Sequence, residues 1–315
     1  MCREYYDCTS IARSKQEAIQ AEEIILGMEI ETKYSYAIQE RVVKAASMAG
    51  YLKLSIGILK SMINTNSKDM SSIYIPSSMA YISVLNRLRK WKKIDEMREI
   101  IQKLSHASKL KGQLLDVVAF NTYLAALCDS IKVNPGYDDS VELVEEALQL
   151  LRRPNTREQY QFSDPDVMSY NTVLHAIADL KNETMICETI RLMKKQGVAP
   201  DIATYNAMLK ASSDRTKQLT IMDEIRSSPT LSYDKYSIEL ILLAFAEQGL
   251  ILDMFQLLQD FITSGIAKNE VANAFSAFLL ALVKVRSDRY INTTLYSFLL
   301  IKSLEFIGHV IGGRN

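Results

Sequence analysis

One nine-residue pattern occurs three times in the chain and limits its fold more than any other feature. The copies begin at Asp116, Asp166 and Asp201 and read DVVAFNTYL, DVMSYNTVL and DIATYNAML. The second and third copies lie 35 residues apart. A pattern that recurs at a fixed period of about 20 to 50 residues is typical of repeat architectures, in which similar small units stack side by side.

The same frame extends in both directions and divides most of the chain into repeats. We expect a truncated repeat at 1–35 and a degenerate repeat or cap at 270–315. The repeat at 117–166 is longer than the others, and we place its excess in two loops, near 132–138 and 154–163. Between the two ends, the frame predicts repeats at 36–77, 78–116, 117–166, 167–201, 202–234 and 235–269.

Apolar periodicity and a shortage of turn residues predict that each repeat is a pair of helices. Apolar residues recur every three to four positions, as at Val141, Val144, Leu148 and Leu151, which is typical of a helix with one buried face. The 315 residues include 11 Gly and 6 Pro, about 5% against an average near 12%. Sheets and tight turns use more of both residues. We therefore expect an all-α fold of antiparallel helix pairs that stack on one another.

The repeat frame resembles that of the pentatricopeptide repeat. The segment from Val167 to Asp201 has 35 residues, opens with VMSYNT and closes with MKKQGVAPD. The similarity in sequence is good from Asp116 to Asn269. The resemblance implies a right-handed superhelical solenoid, like that of the related tetratricopeptide repeats.

The resemblance also implies residues that contact RNA. In pentatricopeptide repeat proteins, the fifth and last residues of a repeat recognise one RNA base, and the family associates an Asn–Asp pair with uridine and, less strongly, cytidine. An asparagine amide has a donor and an acceptor that can match the edge of a pyrimidine. The residues alone leave a second interpretation open, a hydrogen bond at a helix start or between repeats, because asparagine is a poor helix former. The implied pairs are Asn121 with Asp166, Asn171 with Asp201, and Asn206 with Asp234.

The second residue of each of these repeats is implied to flank the base. These residues are Val118, Met168 and Ala203. The other repeats carry no recognised pair, because their fifth residues are Glu40, Ile82, Glu239 and Ala274. We therefore expect a pyrimidine-containing footprint of about three nucleotides, with one base per repeat.

The net charge gives no overall attraction for nucleic acid, because 37 basic residues balance 37 acidic ones. A basic run around Trp91 is the best candidate for phosphate contacts, and Trp91 could stack on a base. The alternative is a solvated helix face, with Trp91 packed between repeats. The candidate phosphate-binding residues are Arg87, Arg89, Lys90 and Lys93.

The sequence carries no catalytic, metal or cofactor motif. Its 4 Cys show no Cys-x-x-Cys spacing, its 3 His are scattered, and there is no phosphate-binding glycine loop. The longest apolar stretch, near 272–283, has about 12 residues and is too short to cross a bilayer. We therefore expect a protein that is not an enzyme, has no cofactor and does not enter a membrane.

The interpretation that follows is a single-stranded RNA-binding adaptor in organellar RNA processing, stability or translation. The family implies a mitochondrion or plastid. The early acids Glu4 and Asp7 argue against an intact transit peptide, so we expect that the chain starts within a longer protein. Two alternatives stay open: a protein–protein scaffold or organellar ribosome subunit with the same fold, and a piece of a longer enzyme.

Overall fold

A computed structural model describes residues 35–63, 74–131, 138–152, 160–212, 214–248, 250–263, 276, 278–280 and 301. Within these residues, twelve α-helices account for almost all regular structure, and one isolated bridge joins Leu115 to Phe162. The all-α prediction is confirmed. The expected truncated repeat at 1–35 and the terminal repeat at 270–315 lie almost entirely outside the described residues, as does the loop at 132–137.

The helices follow one another in pairs. Each pair consists of a first helix and a second helix that is one short turn or loop away. None of the described helices combines the length and apolar composition needed to cross a membrane. The first helices are α1 (Tyr36–Ala49), α3 (Ser78–Lys90), α5 (Val117–Ile131), α7 (Val167–Asp179), α9 (Ile202–Ala211) and α11 (Lys235–Gln248). The second helices are α2 (Leu52–Met62), α4 (Ile94–Lys111), α6 (Asp138–Arg152), α8 (Glu183–Lys195), α10 (Arg215–Ser227) and α12 (Ile251–Thr263).

The chain divides into two compact units, unit 1 (Met1–Ala176) and unit 2 (Ile177–Asn315). In unit 1, α1 packs against α2 and α3, α3 packs against α5, and α5 packs against α6. In unit 2, α9 packs against α8, α10 and α11, and α11 packs against α12. In both units a first helix contacts its own second helix and the first helix of the next repeat. This is the nearest-neighbour contact pattern of a helical-repeat solenoid.

One aromatic side chain from each of the four first helices α3, α5, α7 and α9 packs between helices. Tyr81, Phe120 and Tyr170 are almost completely buried, because each lies on the face of its helix that meets neighbouring helices. Tyr205 is half-buried and packs against the apolar core of unit 2. The periodic aromatic residues therefore stabilise the stack.

The end of the long repeat differs from the loop that the sequence suggests. Tyr160 and Phe162 are buried, and the ring centroid of Phe162 lies 5.0 Å from that of Phe120. The N–H of Leu115 donates to the carbonyl of Gln161 (2.7 Å), and the N–H of Ser163 donates to the carbonyl of Leu115 (3.0 Å). Residues 160–163 therefore belong to the core of unit 1, because burying two aromatic rings gains more than leaving them on an exposed loop.

Candidate functional site

Each first helix that follows an Asn–Asp repeat starts at a capping aspartate. The backbone N–H of the third helical residue donates to Oδ1 of the aspartate, and the hydroxyl of that residue accepts from the N–H of the aspartate. A carboxylate at a helix N-terminus satisfies free N–H groups and interacts favourably with the helix dipole. The last residue of one repeat is thus fixed at the start of the next. The N–H groups of Ser169, Thr204 and Ser237 donate to Oδ1 of Asp166, Asp201 and Asp234, at 2.8, 3.0 and 2.7 Å.

Direct contact joins Asn121 to Asp166 and Asn206 to Asp234. Nδ2 of Asn121 donates to Oδ1 of Asp166 at 3.1 Å. Nδ2 of Asn206 lies 3.2 Å from Oδ1 and 3.4 Å from Oδ2 of Asp234. These bonds tie α5 to the start of α7 and α9 to the start of α11. Asn171 lies on α7 in unit 1, and Asp201 caps α9 in unit 2.

The amides lie deeper than the carboxylates. Asn206 is 1% exposed and Asn171 is 8% exposed, Asn121 is half-buried, and Asp166 and Asp234 are exposed. The structural hydrogen bond left open by the sequence is therefore present at Asn121 and Asn206. This bond occupies only one hydrogen of the amide, because each Nδ2 carries a second hydrogen. Base recognition by the six residues stays a prediction.

Asp166 is held in its charged form. Burial alone would raise its pKa, but the hydrogen bonds from the Ser169 backbone and the Asn121 amide lead the contacts that outweigh burial and hold the pKa below the usual range of an aspartate. An ionised carboxylate accepts hydrogen bonds and donates none. The site at Asp166 therefore favours ligand groups that donate.

Exposed apolar side chains accompany the Asn–Asp pairs at the second position of each repeat. Val118 and Met168 are exposed, the smaller Ala203 is half-buried, and their contact with a base stays a prediction. Sequence reasoning missed Met79 and Tyr236, which occupy the same position in the two neighbouring repeats and are also exposed. Their register in the repeat frame is the signal that identifies them. Within unit 1, the exposed apolar side chains of Met79, Val118 and Met168 in one register are suited to packing on bases.

The repeat at 36–77 shows the same contact between the fifth and last residues with different side chains. The N–H of Ser77 donates to Oε1 of Glu40 at 2.5 Å, and its hydroxyl donates to Oε2 at 2.7 Å. The phenol of Tyr74 also donates to Oε1, at 2.7 Å. Burial of Glu40 opposes ionisation, but these bonds outweigh it and lower its pKa. Both carboxylate oxygens are therefore already occupied by the protein.

Most of the candidate phosphate-binding residues make contacts within the protein. The Arg87 guanidinium donates to the carbonyls of Ser47 (2.9 Å) and Met48 (2.8 Å) at the end of α1. Arg89 Nε pairs with Asp129 Oδ2 (2.7 Å), and Lys93 Nζ pairs with Glu96 Oε1 (2.7 Å). Phosphate contact by the four basic residues stays a prediction.

Lys90 and Trp91 are the open part of this basic segment. Lys90 is exposed and makes no ion pair or hydrogen bond to the described residues. Trp91 is 49% exposed, so it is not packed between repeats. It ends α3 at the turn to α4. These two side chains are thus accessible to a ligand.

Metal ligands do not cluster in the described part of the chain. No group of three or more His, Cys, Asp or Glu side chains there could hold a metal ion. Of the described cysteines, Cys128 is buried and Cys187 is exposed, and neither forms a disulfide.

Comparison with known proteins gives a family match and a fold match. Residues 163–215 match the pentatricopeptide repeat domain family, and none of the curated proteins compared with the chain matches it. The structure is similar to the crystal structure of the pentatricopeptide repeat protein PPR10 in complex with an 18-nt psaJ RNA element, with a TM-score of 0.52, 17% identity, and coverage of 86% of this chain and 38% of that chain. A cysteine-to-serine variant of PPR10 with the same RNA gives the same values.

A further similar structure is that of PPR10 from maize, with a TM-score of 0.44, 18% identity, and coverage of 91% of this chain and 44% of that chain. This chain thus spans less than half the length of the solved structures it matches. At these identities the similarity to the PPR10–RNA complexes shows the fold. The tandem repeat frame, the matched segment and the shared fold together identify a helical-repeat solenoid that is similar to pentatricopeptide repeat proteins.

Proposed function

We propose that this chain binds single-stranded RNA as a non-catalytic adaptor, with one base recognised at each Asn–Asp pair. The observation that carries the proposal is the pairing of an asparagine amide with a helix-capping aspartate, at Asn121–Asp166 and again at Asn206–Asp234. An exposed apolar residue, Val118, lies at the second position of the first of these repeats. The fold match to PPR10, which was crystallised with an RNA element, supports the proposal.

The chemistry of the pair suits a base edge. One amide hydrogen is held by the carboxylate, and the groups that the amide can still offer to a ligand are its second hydrogen and, where a protein donor gives it up, Oδ1. Uracil and cytosine each present a donor beside an acceptor, and so can bond to both groups. Adenine also presents such an edge, so the pyrimidine preference rests on the family's association of Asn–Asp pairs with uridine and cytidine.

The cellular setting of the proposal comes from the family. We place the protein in a mitochondrion or plastid, acting in RNA processing, stability or translation. Imaging of the tagged full-length gene product beside organelle markers tests this placement, and a diffuse distribution outside both organelles would contradict it.

Binding to short RNAs tests the proposal directly. We expect the unmodified protein to bind U-rich RNA at micromolar or lower concentration, more tightly than A-rich RNA of equal length, and more weakly as salt rises. Replacing both Asn121 and Asn206 by Ala should weaken binding to U-rich RNA by about tenfold or more, given ~1–3 kcal/mol per recognised base in the DNA analogy. Fluorescence anisotropy with labelled oligonucleotides measures these affinities.

The matched control is Asn182→Ala. Asn182 caps α8 through the N–H of Met185 (3.1 Å) and lies outside the Asn–Asp pairs, so its loss should leave RNA affinity unchanged. Equal affinity for U-rich and A-rich RNA, or no binding at low salt, would overturn the proposal.

A protein–protein scaffold is the second candidate. The observation in its favour is the use of Arg87, Arg89 and Lys93 within the protein, together with a net charge of zero. A failure to bind any RNA at low salt, combined with capture of a stable protein partner under the same conditions, would favour the scaffold.

A further inference from the structure

The two Asn–Asp pairs in contact have the same side chains but differ in one hydrogen bond. At the first pair, the Ser169 hydroxyl lies 2.5 Å from Oδ1 of Asn121 and 2.9 Å from Oδ1 of Asp166. At the second pair, the Ser237 hydroxyl lies 2.7 Å from Oδ1 of Asp234. The amide oxygen of Asn206 is buried and accepts no hydrogen bond from the described residues.

The orientation of both amides follows from their neighbours. A carboxylate attracts the NH₂ side of an amide and repels its oxygen, so Nδ2 of Asn121 must face Asp166 and Nδ2 of Asn206 must face Asp234. Oδ1 of each asparagine then points away from the carboxylate. At Asn121 it meets a donor, and at Asn206 it does not.

A serine hydroxyl has one proton and can donate to one acceptor at a time. Ser169 lies nearer to the amide oxygen of Asn121 than to Asp166, and so covers that oxygen. Ser237 has only the carboxylate of Asp234 in reach. Both serines occupy the third position of their helices. They are therefore equivalent in sequence but contact different groups.

We propose that the third residue of the following repeat determines whether the amide oxygen of an Asn–Asp pair is available to a nucleobase. This inference rests on the proposed RNA-binding function. Ser169 covers the acceptor of Asn121, whereas Ser237 leaves the buried acceptor of Asn206 without a protein donor. Ser169 is therefore a positioning residue that weakens recognition of a base N–H, such as uracil N3–H, at Asn121.

The energetics follow from the two environments. A buried acceptor without a partner is unfavourable, so a base donor that reaches Asn206 removes a penalty as it binds. A base that reaches Asn121 must displace the Ser169 hydroxyl, which can turn to Asp166 at 2.9 Å. At Asn121 the base therefore exchanges one hydrogen bond for another, which reduces the net gain on binding.

Matched serine variants test the inference. Ser169→Ala and Ser237→Ala each remove the same capping hydroxyl, so both should lower thermal stability to a similar extent. Ser169→Ala alone uncovers an amide oxygen, and we expect it to tighten binding to U-rich RNA by about 2- to 10-fold, the range for one net hydrogen bond. Ser237→Ala should change the affinity by less than about twofold, because its hydroxyl contacts only the carboxylate.

A double-mutant cycle separates recognition from folding. The gain from Ser169→Ala should vanish in an Asn121→Ala background and on RNA made with 3-methyluridine, which lacks the N3–H donor. Ser169→Thr keeps the hydroxyl and should restore the original affinity. Equal effects of the two alanine variants, or a gain that persists without Asn121, would overturn the inference. Absence of RNA binding by the unmodified protein would instead overturn the proposed function, and this inference with it.

Discussion

The side chains at the fifth and last positions of a repeat stabilise the folded chain before any ligand is present. Asn121 and Asn206 donate to carboxylates that cap the next first helix, and Glu40 accepts from both the backbone and the hydroxyl of Ser77. Polar groups this close to the core are tolerated because they are hydrogen-bonded. A residue that recognises a ligand in this position must therefore also serve the fold.

The hydrogen bonds of Glu40 predict a pH dependence. Because its folded pKa lies below the ordinary value of 4.5, the unfolded chain binds the proton more tightly and stability rises with pH. The stabilisation is complete above the unfolded pKa and is lost as the pH falls through the lower folded pKa. Glu40→Gln should remove this part of the acid sensitivity, measured by urea unfolding at about pH 7, 5 and 3.

The control for Glu40→Gln is Glu142→Gln. Glu142 is exposed on α6 and makes no hydrogen bond to the described residues, so this change should leave the pH profile as it was. An unaltered profile in Glu40→Gln would show that the Ser77 and Tyr74 bonds contribute nothing to stability.

At the scale of helices, the turns inside the repeats require a left-handed backbone conformation. Gly50 adopts it between α1 and α2 (φ 96°), but Lys92 (φ 56°) and Lys181 (φ 55°) adopt it at the corresponding turns of later repeats. A side chain with a Cβ is strained there. The side-chain Nζ of Lys181 donates to the carbonyl of Lys210 at 2.5 Å, and this bond offsets part of the strain. Lys92 is exposed and makes no such bond to the described residues.

Lys92→Gly should therefore stabilise the protein. Glycine relieves the strained φ, and we expect a gain of up to about 1 kcal/mol in the free energy of unfolding, reduced by the extra entropy of the unfolded chain. Thermal or urea unfolding measures the change. Lys90→Gly is the matched control, because Lys90 is still helical and glycine should destabilise it by about 0.5–1 kcal/mol. A loss of stability in both variants would contradict the strain at Lys92.

At the scale of the whole molecule, each unit has its own apolar core. In unit 1, Phe162 returns from the end of the long repeat and packs beside Phe120. In unit 2, Phe245 and Leu242 of α11 are buried with Met222 of α10 and Met254 of α12. Stability in such stacks is a sum over neighbouring contacts, so damage in one core should act mainly on the helices that line it.

Two alanine variants test this local coupling. Phe162→Ala removes a buried ring and should destabilise unit 1 by about 3–5 kcal/mol, which hydrogen exchange would detect as lost protection of the α5 amides. The α11 amides should keep theirs. Phe245→Ala should give the reverse pattern. A uniform loss of protection in both units would show that the chain unfolds as one cooperative body.

Much of the fold could be predicted because its signals are local. A capping aspartate, a helical apolar stripe and a period of 35 residues lie within a few turns of the chain, and they place Asn121, Asn171 and Asn206 one turn into α5, α7 and α9. The exposed second residues follow from the same frame. Met79 and Tyr236 were missed because their repeats lack the Asn–Asp pair, although they share its register.

The sequence by itself determined that this protein is a chain of paired helices whose repeat frame resembles the pentatricopeptide repeat, because periodicity and capping act between close neighbours in the chain. Only the tertiary structure decided that residues 160–163 belong to a core, that Arg87 caps α1, and that Ser169 covers the amide oxygen of Asn121 while that of Asn206 has no donor among the described residues. The Ser169–Asn121 contact joins residues 48 positions apart. The distances from the Ser169 hydroxyl to its two acceptors, 2.5 Å to Asn121 and 2.9 Å to Asp166, depend on how the helices pack. Two sites with the same residues can therefore differ in chemistry, because a hydrogen bond depends on distance in space rather than on residue type.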